Sequence, residues 1–118
     1  MSKIFTIRQG DRLPYLAYEF GFSLATAVSV SFSARDAATD VVFIDRQPAI
    51  IGNGTYFING VSRILTPLDG IVFYPWGSTD TATARKGVQG LFHITWPGTL
   101  IESLPSEGYE TIRIAENF

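Results

Sequence analysis

The sequence predicts an all-β fold in which two sheets of short strands pack face to face as a sandwich. Apolar and polar residues alternate with a period of two in many segments, which is typical of strands with one buried face. Turn residues recur about every ten residues, the spacing expected of a sandwich. We therefore expect seven to nine short strands in a single domain, residues 1–118, with a closed barrel as the alternative.

The first three strands are predicted over residues 3–8, 15–20 and 27–35. A Gln-Gly-Asp turn at residues 9–11 ends the first strand, because glycine reaches positive φ and aspartate bonds the backbone ahead of it. Pro14 cannot donate to a strand ladder, so the second strand is expected at or beside a sheet edge. The third alternates valine or phenylalanine with serine, which predicts a central strand with one solvated face.

Turn residues divide the rest of the chain into shorter pieces. Gly-Asn-Gly at residues 52–54 and Asn-Gly at residues 59–60 are tight-turn signals. Residues 61–65 are short and ambiguous, with a single helical turn within residues 62–68 as an alternative. The other strands are expected over residues 41–44, 49–51, 55–58, 100–104 and 109–114.

Residues 70–96 carry two aromatic-rich arms around a small, polar loop. The first arm places Tyr74 and Trp76 on one face, and the second places Phe92 and Trp96 on one face. We expect the arms to form a hairpin whose aromatic side chains join the two sheets. The candidate core scaffold consists of Val30, Phe32, Tyr74, Trp76, Phe92 and Trp96.

The composition excludes several classes of protein. Nine basic and eleven acidic residues give a net charge of −2, which provides no field that attracts a phosphate backbone, so nucleic-acid binding is not expected. The chain has no cysteine, and thus no disulfide, thiolate metal site or cysteine nucleophile. It has no signal-peptide pattern and no long apolar run, so we expect folding in a cytoplasm without membrane insertion.

The sequence offers no set of residues for catalysis, a metal or a cofactor. His93 is the only histidine, and a catalytic base needs an orienting partner and a nucleophile that the sequence does not place beside it. Asp80 lies in a loop with too few carboxylates for a calcium site, so we expect it to cap turn backbone groups. We therefore expect a protein that is not an enzyme.

The aromatic residues allow two interpretations. Sugars stack on exposed aromatic faces, so a carbohydrate platform is one of them. Aromatic side chains are also ordinary sandwich core and anchors of subunit interfaces. We favour core and interface over the carbohydrate platform.

Motifs along nearly the whole chain carry a family resemblance. The first motif is the turn Gln-Gly-Asp, which follows the first strand and precedes a proline. The next two are strand patterns followed by polar residues: Ala-x-x-Val-x-Phe before Arg-Asp, and Gly-x-Val-x-Tyr-x-Trp before Asp-Thr. The last motif is an aromatic strand followed by a turn with glycine, then a proline, and then Gly-Tyr before the final strand. With these motifs the chain resembles the N-terminal immunoglobulin-like domain of phage baseplate upper proteins (the BppU type), found also as short proteins in tailed-phage structural gene clusters. The matching residues are Gln9, Gly10, Asp11, Pro14, Leu16, Ala27, Val30, Phe32, Arg35, Asp36, Gly70, Val72, Tyr74, Trp76, Asp80, Thr81, Gly90, Phe92, Ile94, Trp96, Gly98, Pro105, Gly108 and Tyr109.

The resemblance implies an immunoglobulin-like antiparallel β-sandwich that serves as a non-enzymatic structural component of a tailed-phage virion. Such a protein is made in the host cytoplasm and binds neighbouring tail, baseplate or capsid proteins, in many copies, as an adaptor or decoration. Two departures stand out. Val88 occupies a position where the family commonly has a tyrosine, and residues 47–68 are longer than the pattern expects. A contact loop within that longer segment is therefore expected.

The expected binding surfaces are sheet edges at the two chain ends and the longer middle segment. Exposed edges allow β-augmentation, in which main-chain hydrogen bonds join a partner strand to the sheet. The alternative function is a receptor- or glycan-binding module that uses surface aromatics and the loop of residues 52–60. The candidate interface consists of Ile4, Phe5, Ile7, Tyr56, Phe57, Tyr109, Ile112 and Ile114.

Overall fold

The structure is a computed structural model that describes residues 4–58 and 60–118. Lys3 of the first predicted strand and Asn59 of the predicted turn lie outside the described residues. A short 3-10 turn at Pro67–Asp69 accompanies the strands. Within the described residues the strands are β1 (Phe5–Arg8), β2 (Leu16–Glu19), β3 (Ser29–Asp36), β4 (Val42–Pro48), β5 (Ile50–Ile51), β6 (Gly54–Ile58), β7 (Val61–Leu65), β8 (Ile71–Tyr74), β9 (Arg85–Trp96), β10 (Leu100–Leu104) and β11 (Glu110–Ala115).

The strands form two main sheets and one separate hairpin. The large sheet has the order β1-β11-β9-β3-β4, and β10 pairs with the second half of β9. The small sheet has the order β2-β8-β5, and β6 pairs only with β7. All pairs are antiparallel except β1 with β11. The two main sheets have open edges, so the fold is a sandwich and not the closed barrel that was the alternative.

The sheet order confirms the predicted immunoglobulin-like sandwich. In that fold the second, fifth and fourth strands of the chain form one sheet, and the third, sixth and seventh form the other. Here β2-β8-β5 and β3-β9-β11 take these places. The described strands outnumber the predicted seven to nine, because residues 47–68 hold three short strands and β10 forms an additional hairpin with β9.

Aromatic rings from both sheets make the centre of the core. The ring of Phe32 lies 4.6 Å from that of Tyr74 and 4.9 Å from that of Phe92. Gly90 leaves room for this contact, since a Cβ there would lie 2.9 Å from the Phe32 ring. The predicted core scaffold is confirmed for Val30, Phe32, Tyr74, Trp76 and Phe92, which are all buried, while Trp96 is half-buried at the margin.

The predicted hairpin of residues 70–96 is wrong. Its first arm, β8, lies in the small sheet and its second, β9, lies in the large sheet. All four residues of β8 are buried, so both of its faces are covered. The polar loop of residues 75–84 therefore crosses from one sheet to the other, and the aromatic residues of the two arms meet across the core.

Two predictions about strand position are confirmed and one is wrong. β2 lies at an edge of the small sheet, as Pro14 predicts, and β3 lies between β9 and β4 as a central strand. The last strand, β11, is not an edge, because β1 pairs with one side of it and β9 with the other. The ambiguous residues 61–65 form β7, and helical structure there is limited to the 3-10 turn.

The loop after β8 is held by Asp80, as expected for a turn-capping aspartate. Its Oδ2 accepts hydrogen bonds from the Tyr74 hydroxyl and from the Gly77 backbone N–H, the latter at 2.7 Å. Burial, and then this hydrogen bond, raise the pKa of Tyr74. Val88, which stands where the family commonly has a tyrosine, is buried and has no hydroxyl to donate. The tyrosine hydroxyl that bonds to the loop in this protein is that of Tyr74.

We expect Phe92→Ala to lower the free energy of unfolding by about 3–5 kcal/mol, because it removes a fully buried ring that contacts both sheets. Urea unfolding measures the change. Phe57→Ala is the matched control: its side chain is 79% exposed, and the expected loss is below about 0.5 kcal/mol. Equal losses for the two variants would contradict the assigned core.

Asp80→Asn should cost about 1–3 kcal/mol, because two hydrogen bonds lose their charged acceptor. Thermal and urea unfolding would both register the loss. Asp40→Asn serves as the control, since Asp40 is exposed with a φ of 58°, a conformation that asparagine tolerates. An Asp80 variant as stable as the Asp40 variant would show that the loop does not depend on this carboxylate.

Candidate binding groove

The β6–β7 hairpin packs against the outer face of the small sheet. The ring of Tyr56 stacks on Phe73 of β8, with the centroids 4.6 Å apart. Leu65 of β7 joins Ile71 and Phe73 in a second, smaller apolar cluster. The hairpin therefore covers β8 from outside, which accounts for the burial of both faces of that strand. Its far side stays open, with Phe57 79% exposed.

A groove of about 1060 Å³ lies between this hairpin and β2. We call it the apolar groove, because most of its lining is aliphatic or aromatic. Several of these side chains are exposed although they are apolar, among them Leu13, which is 67% exposed, and Ile4, which is 63% exposed. The lining residues are Ile4, Phe5, Leu13, Pro14, Tyr15, Leu16, Ala17, Thr55, Tyr56, Phe57, Phe73 and Glu110.

Two strand edges border the apolar groove. Consecutive side chains of a strand point to opposite faces, so consecutive residues line a groove only where a strand presents its edge. This is so on both sides, since residues 15–17 and residues 55–57 all take part. β6 pairs with β7 on its other side, and β2 pairs with β8 on its other side. The edges that face the groove have no partner strand among the described residues.

The alternation of hydrogen bonds along β2 shows which of its backbone N–H and C=O groups point away from β8. Phe20 donates its N–H to the Gly70 carbonyl at 2.9 Å, so the backbone N–H of Phe20 points toward the side of β8. Along an antiparallel ladder the direction of the backbone groups alternates from one residue to the next. The register then directs the backbone N–H and C=O groups of Ala17 and Glu19 away from β8, toward the open edge. These two residues can therefore extend the small sheet.

One acidic side chain, Glu110, lines the groove, and no described residue forms a salt bridge with it. Glu110 lies two residues before the fully buried Ile112, so it occupies the inner face of β11. Burial raises the pKa of its carboxyl. The pKa of Tyr18 is raised as well, first by burial and then by the nearby Glu110. In the described part of the chain the one salt bridge joins Arg85 to Asp36, and Glu110 has no charged partner.

The structure divides the predicted interface residues into three groups. Ile4, Phe5, Tyr56 and Phe57 line the apolar groove. Tyr109 is exposed but lies on the outer face of the large sheet, over Arg35. The prediction is wrong for the remaining three, which are buried core residues because β1 and β11 turn these side chains toward the small sheet: Ile7, Ile112 and Ile114.

Several groove residues were missed by the sequence analysis. Leu13 and Tyr15 flank the proline that predicts an edge strand, so Pro14 was an available signal for the position of the groove. The sequence contains no comparable signal for Ala17 and Glu110. An alanine in a short strand and an acidic residue at the start of another strand cannot be assigned to one site until the fold shows that they are neighbours.

A second, smaller cleft of about 210 Å³ lies on the outer face of the large sheet. Arg35 donates to the Gln89 side chain at 2.7 Å and to the Tyr109 hydroxyl at 3.0 Å, and its guanidinium lies 5.0 Å from the Tyr109 ring centroid. The polar groups of this cleft are thus already bonded to one another.

His93 lies between two serines on the same outer face. Its Nδ1 is 2.8 Å from the Ser103 hydroxyl and its Nε2 is 3.1 Å from that of Ser33. Ser33 also accepts the Arg46 backbone N–H at 2.9 Å. With hydroxyls on both ring nitrogens, no carboxylate orients the imidazole as the acid of a catalytic triad does. The histidine is a buried, hydrogen-bonded residue on this face of the sheet.

Within residues 4–58 and 60–118 the structure contains no group of three or more metal-ligating side chains. No helix in that part of the chain is both long and apolar enough to cross a membrane.

Comparisons with known proteins yield no relative: no family model, no curated protein and no solved structure matches this chain. The resemblance to the phage baseplate domain therefore stays a prediction from the sequence motifs.

His93 should make the protein less stable as the pH falls. Burial, and then Arg46, lower its pKa, with Asp45 acting in the opposite direction. Below the ordinary histidine pKa of about 6.5 the unfolded state binds a proton that the folded state resists, so acidification favours unfolding. We expect the free energy of unfolding to fall more between about pH 8 and about pH 5 in the wild type than in His93→Gln. Parallel pH profiles would contradict this.

Proposed function

We propose that this chain is a non-enzymatic structural component of a tailed-phage virion, an adaptor or decoration protein that binds neighbouring virion proteins. The phage context comes from the sequence motifs alone. The binding function draws support from the shape and chemistry of the apolar groove. Neither half of the proposal requires a catalytic residue or a cofactor.

The observation that carries the proposal is the concentration of exposed apolar side chains beside two open strand edges. Proteins commonly protect sheet edges with charge, proline or a covering loop. Here Leu13, Tyr15 and Phe57 are exposed at the groove, and among the described residues only Glu110 contributes a charged group to its lining. An exposed apolar surface of this kind marks an interaction site.

The architecture suits a protein that works through contact. Aromatic packing and hydrogen bonds to Asp80 hold the sandwich together, while the hairpin that forms one side of the groove belongs to the longer middle segment. Variation in such a segment changes binding without changing the core. Many copies placed side by side in a particle would each present the same groove to a neighbour.

The second candidate function is glycan or receptor binding. The cleft with Tyr109 and Arg35 is the observation in its favour, because an exposed aromatic ring beside a guanidinium can stack on a sugar. A glycan array probed with the wild type and Tyr109→Ala tests it. Binding that the variant loses would support this function, and an empty array would remove it.

The adaptor function predicts that the tagged chain co-sediments with tailed virions at a fixed copy number. Phe57→Glu should reduce the retained protein at least about tenfold, because a charge in the groove opposes burial of the apolar surface. Quantitative mass spectrometry of gradient-purified particles measures both values.

Leu100→Glu is the matched control, since Leu100 is 67% exposed on β10, away from the apolar groove. Its retention should equal that of the wild type. A wild-type chain that stays at the top of the gradient would refute the proposed virion role, whatever the variants do.

A further inference from the structure

The first strand of this sandwich leaves a place open in the small sheet. In the constant-type immunoglobulin fold the first strand pairs with the second, so that the sheet contains four strands. Here every residue of β1 pairs with β11 in the large sheet, from Phe5 with Ile112 to Arg8 with Ala115. The small sheet therefore ends at β2, and the place beside it has no strand from the described residues.

The apolar groove occupies that open place. It is lined by Leu16 from the inner face of β2 and by Ala17 from the outer face. Phe5 of β1 lies on the side of the large sheet, and Phe57 of the hairpin lies on the outer side. A strand placed beside β2 would direct alternate side chains toward these two surfaces. Both surfaces are apolar, which fits a strand that is buried on two faces.

We propose that the apolar groove accepts one extended segment from a neighbouring protein, which pairs with β2 and places a lysine or arginine against Glu110. This inference rests on the proposed adaptor function and specifies how the adaptor recognises its partner. The Ala17 and Glu19 backbone groups supply the hydrogen bonds of the added strand. Affinity then comes from the main chain and the apolar lining, and selectivity comes from the acidic group.

The charge distribution calls for a basic residue in the partner. Among the described residues Glu110 is the one charged residue that lines the groove, and none of them forms a salt bridge with it. Covering it with a purely apolar strand would bury an unpaired carboxyl, which is costly. A cation on the inner face of the added strand removes that cost through a charge-assisted hydrogen bond.

A second copy of this chain is a poor source for the segment. The described strands all pair within their own molecule, so a single strand inserted into the groove would have to leave its own sheet. The two long connections, residues 20–28 and 75–84, contain no lysine or arginine. Both are also tied down, for example by Leu24 donating to the Pro67 carbonyl at 2.8 Å and by Asp80 holding Gly77. A different protein chain is therefore the expected donor.

Synthetic peptides of about seven residues, close to the usual strand length, provide the test. The first alternates threonine with valine and carries a lysine in place of the central valine. The second carries glutamate at that position, and the third replaces one central threonine of the first peptide by proline. Fluorescence anisotropy with the full chain should show the lysine peptide binding at least about tenfold more tightly than the glutamate peptide. The proline peptide should bind far more weakly, since proline cannot donate to the ladder.

Hydrogen exchange locates the bound peptide. In the free protein the amides of Ala17 and Glu19 face the open edge and should exchange rapidly, whereas in the complex they should be protected. The amide of Tyr18 pairs with β8 in both states and serves as the internal control. Binding without protection at Ala17 and Glu19 would overturn the pairing with β2.

Charge variants test the role of Glu110. Glu110→Gln should remove most of the preference for lysine over glutamate, and Glu110→Lys should reverse it. Glu107→Gln is the matched control, because Glu107 is exposed in the connection between β10 and β11 and is absent from the groove. A preference that survives Glu110→Gln would refute the assigned contact, and the glutamine variant keeps the size of the side chain so that the fold is retained.

Two results separate this inference from the proposed function. If the chain is a stable virion component but none of the peptides binds, the inference fails and the adaptor function stands. If light scattering shows a dimer that Ala17→Glu converts to a monomer while Ala38→Glu does not, the groove holds a second copy and the inference is overturned. Peptide binding with the predicted charge preference, by a chain that remains monomeric, supports it.

Discussion

The contact among the rings of Phe32, Tyr74 and Phe92 joins the two sheets, and the remaining architecture depends on it. Phe32 and Phe92 face each other across paired strands of the large sheet, and Tyr74 reaches them from the small sheet. Without a side chain at Gly90 the ring of Phe32 has room to lie there. The same tyrosine bonds Asp80, so the packing of the core and the path of the loop between the sheets are linked.

Alternation in the sequence predicts which segments are strands and which side chains face inward, and both predictions hold for Val30, Phe32 and Phe92. It does not determine which strands pair, because pairing is a contact between segments that are distant in sequence. For that reason residues 70–96 were predicted to be a hairpin, whereas β8 and β9 lie in different sheets. The four residues of β8 are all buried, because the strand is covered on both faces. A strand of this kind does not alternate apolar and polar residues.

In the candidate site, too, the sequence predicts the residues that depend on one segment and misses those whose position depends on strand pairing. Tyr56 and Phe57 were predicted from a segment longer than the family pattern, and both line the apolar groove. Ile7 and Ile112 belong to strands at the two ends of the chain, and their pairing with each other's strands and with β9 places them in the core. The place of Glu110 at the groove follows from the fold alone, because its environment is formed by strands that the sequence does not show to be neighbours.

The position of the β6–β7 hairpin has a consequence for unwanted association. An open, apolar sheet edge invites a second sheet to add to it, and the product of repeated addition is an aggregate. In this protein the hairpin stands beside β2 as a wall, anchored by the stacking of Tyr56 on Phe73. The space between the hairpin and the open edge of β2 has room for a single extended chain, whereas the sheet edge of another folded domain would contact the hairpin first. If the groove accepts an extended segment as proposed, the hairpin leaves room beside β2 for a single chain but not for the edge of a whole sheet.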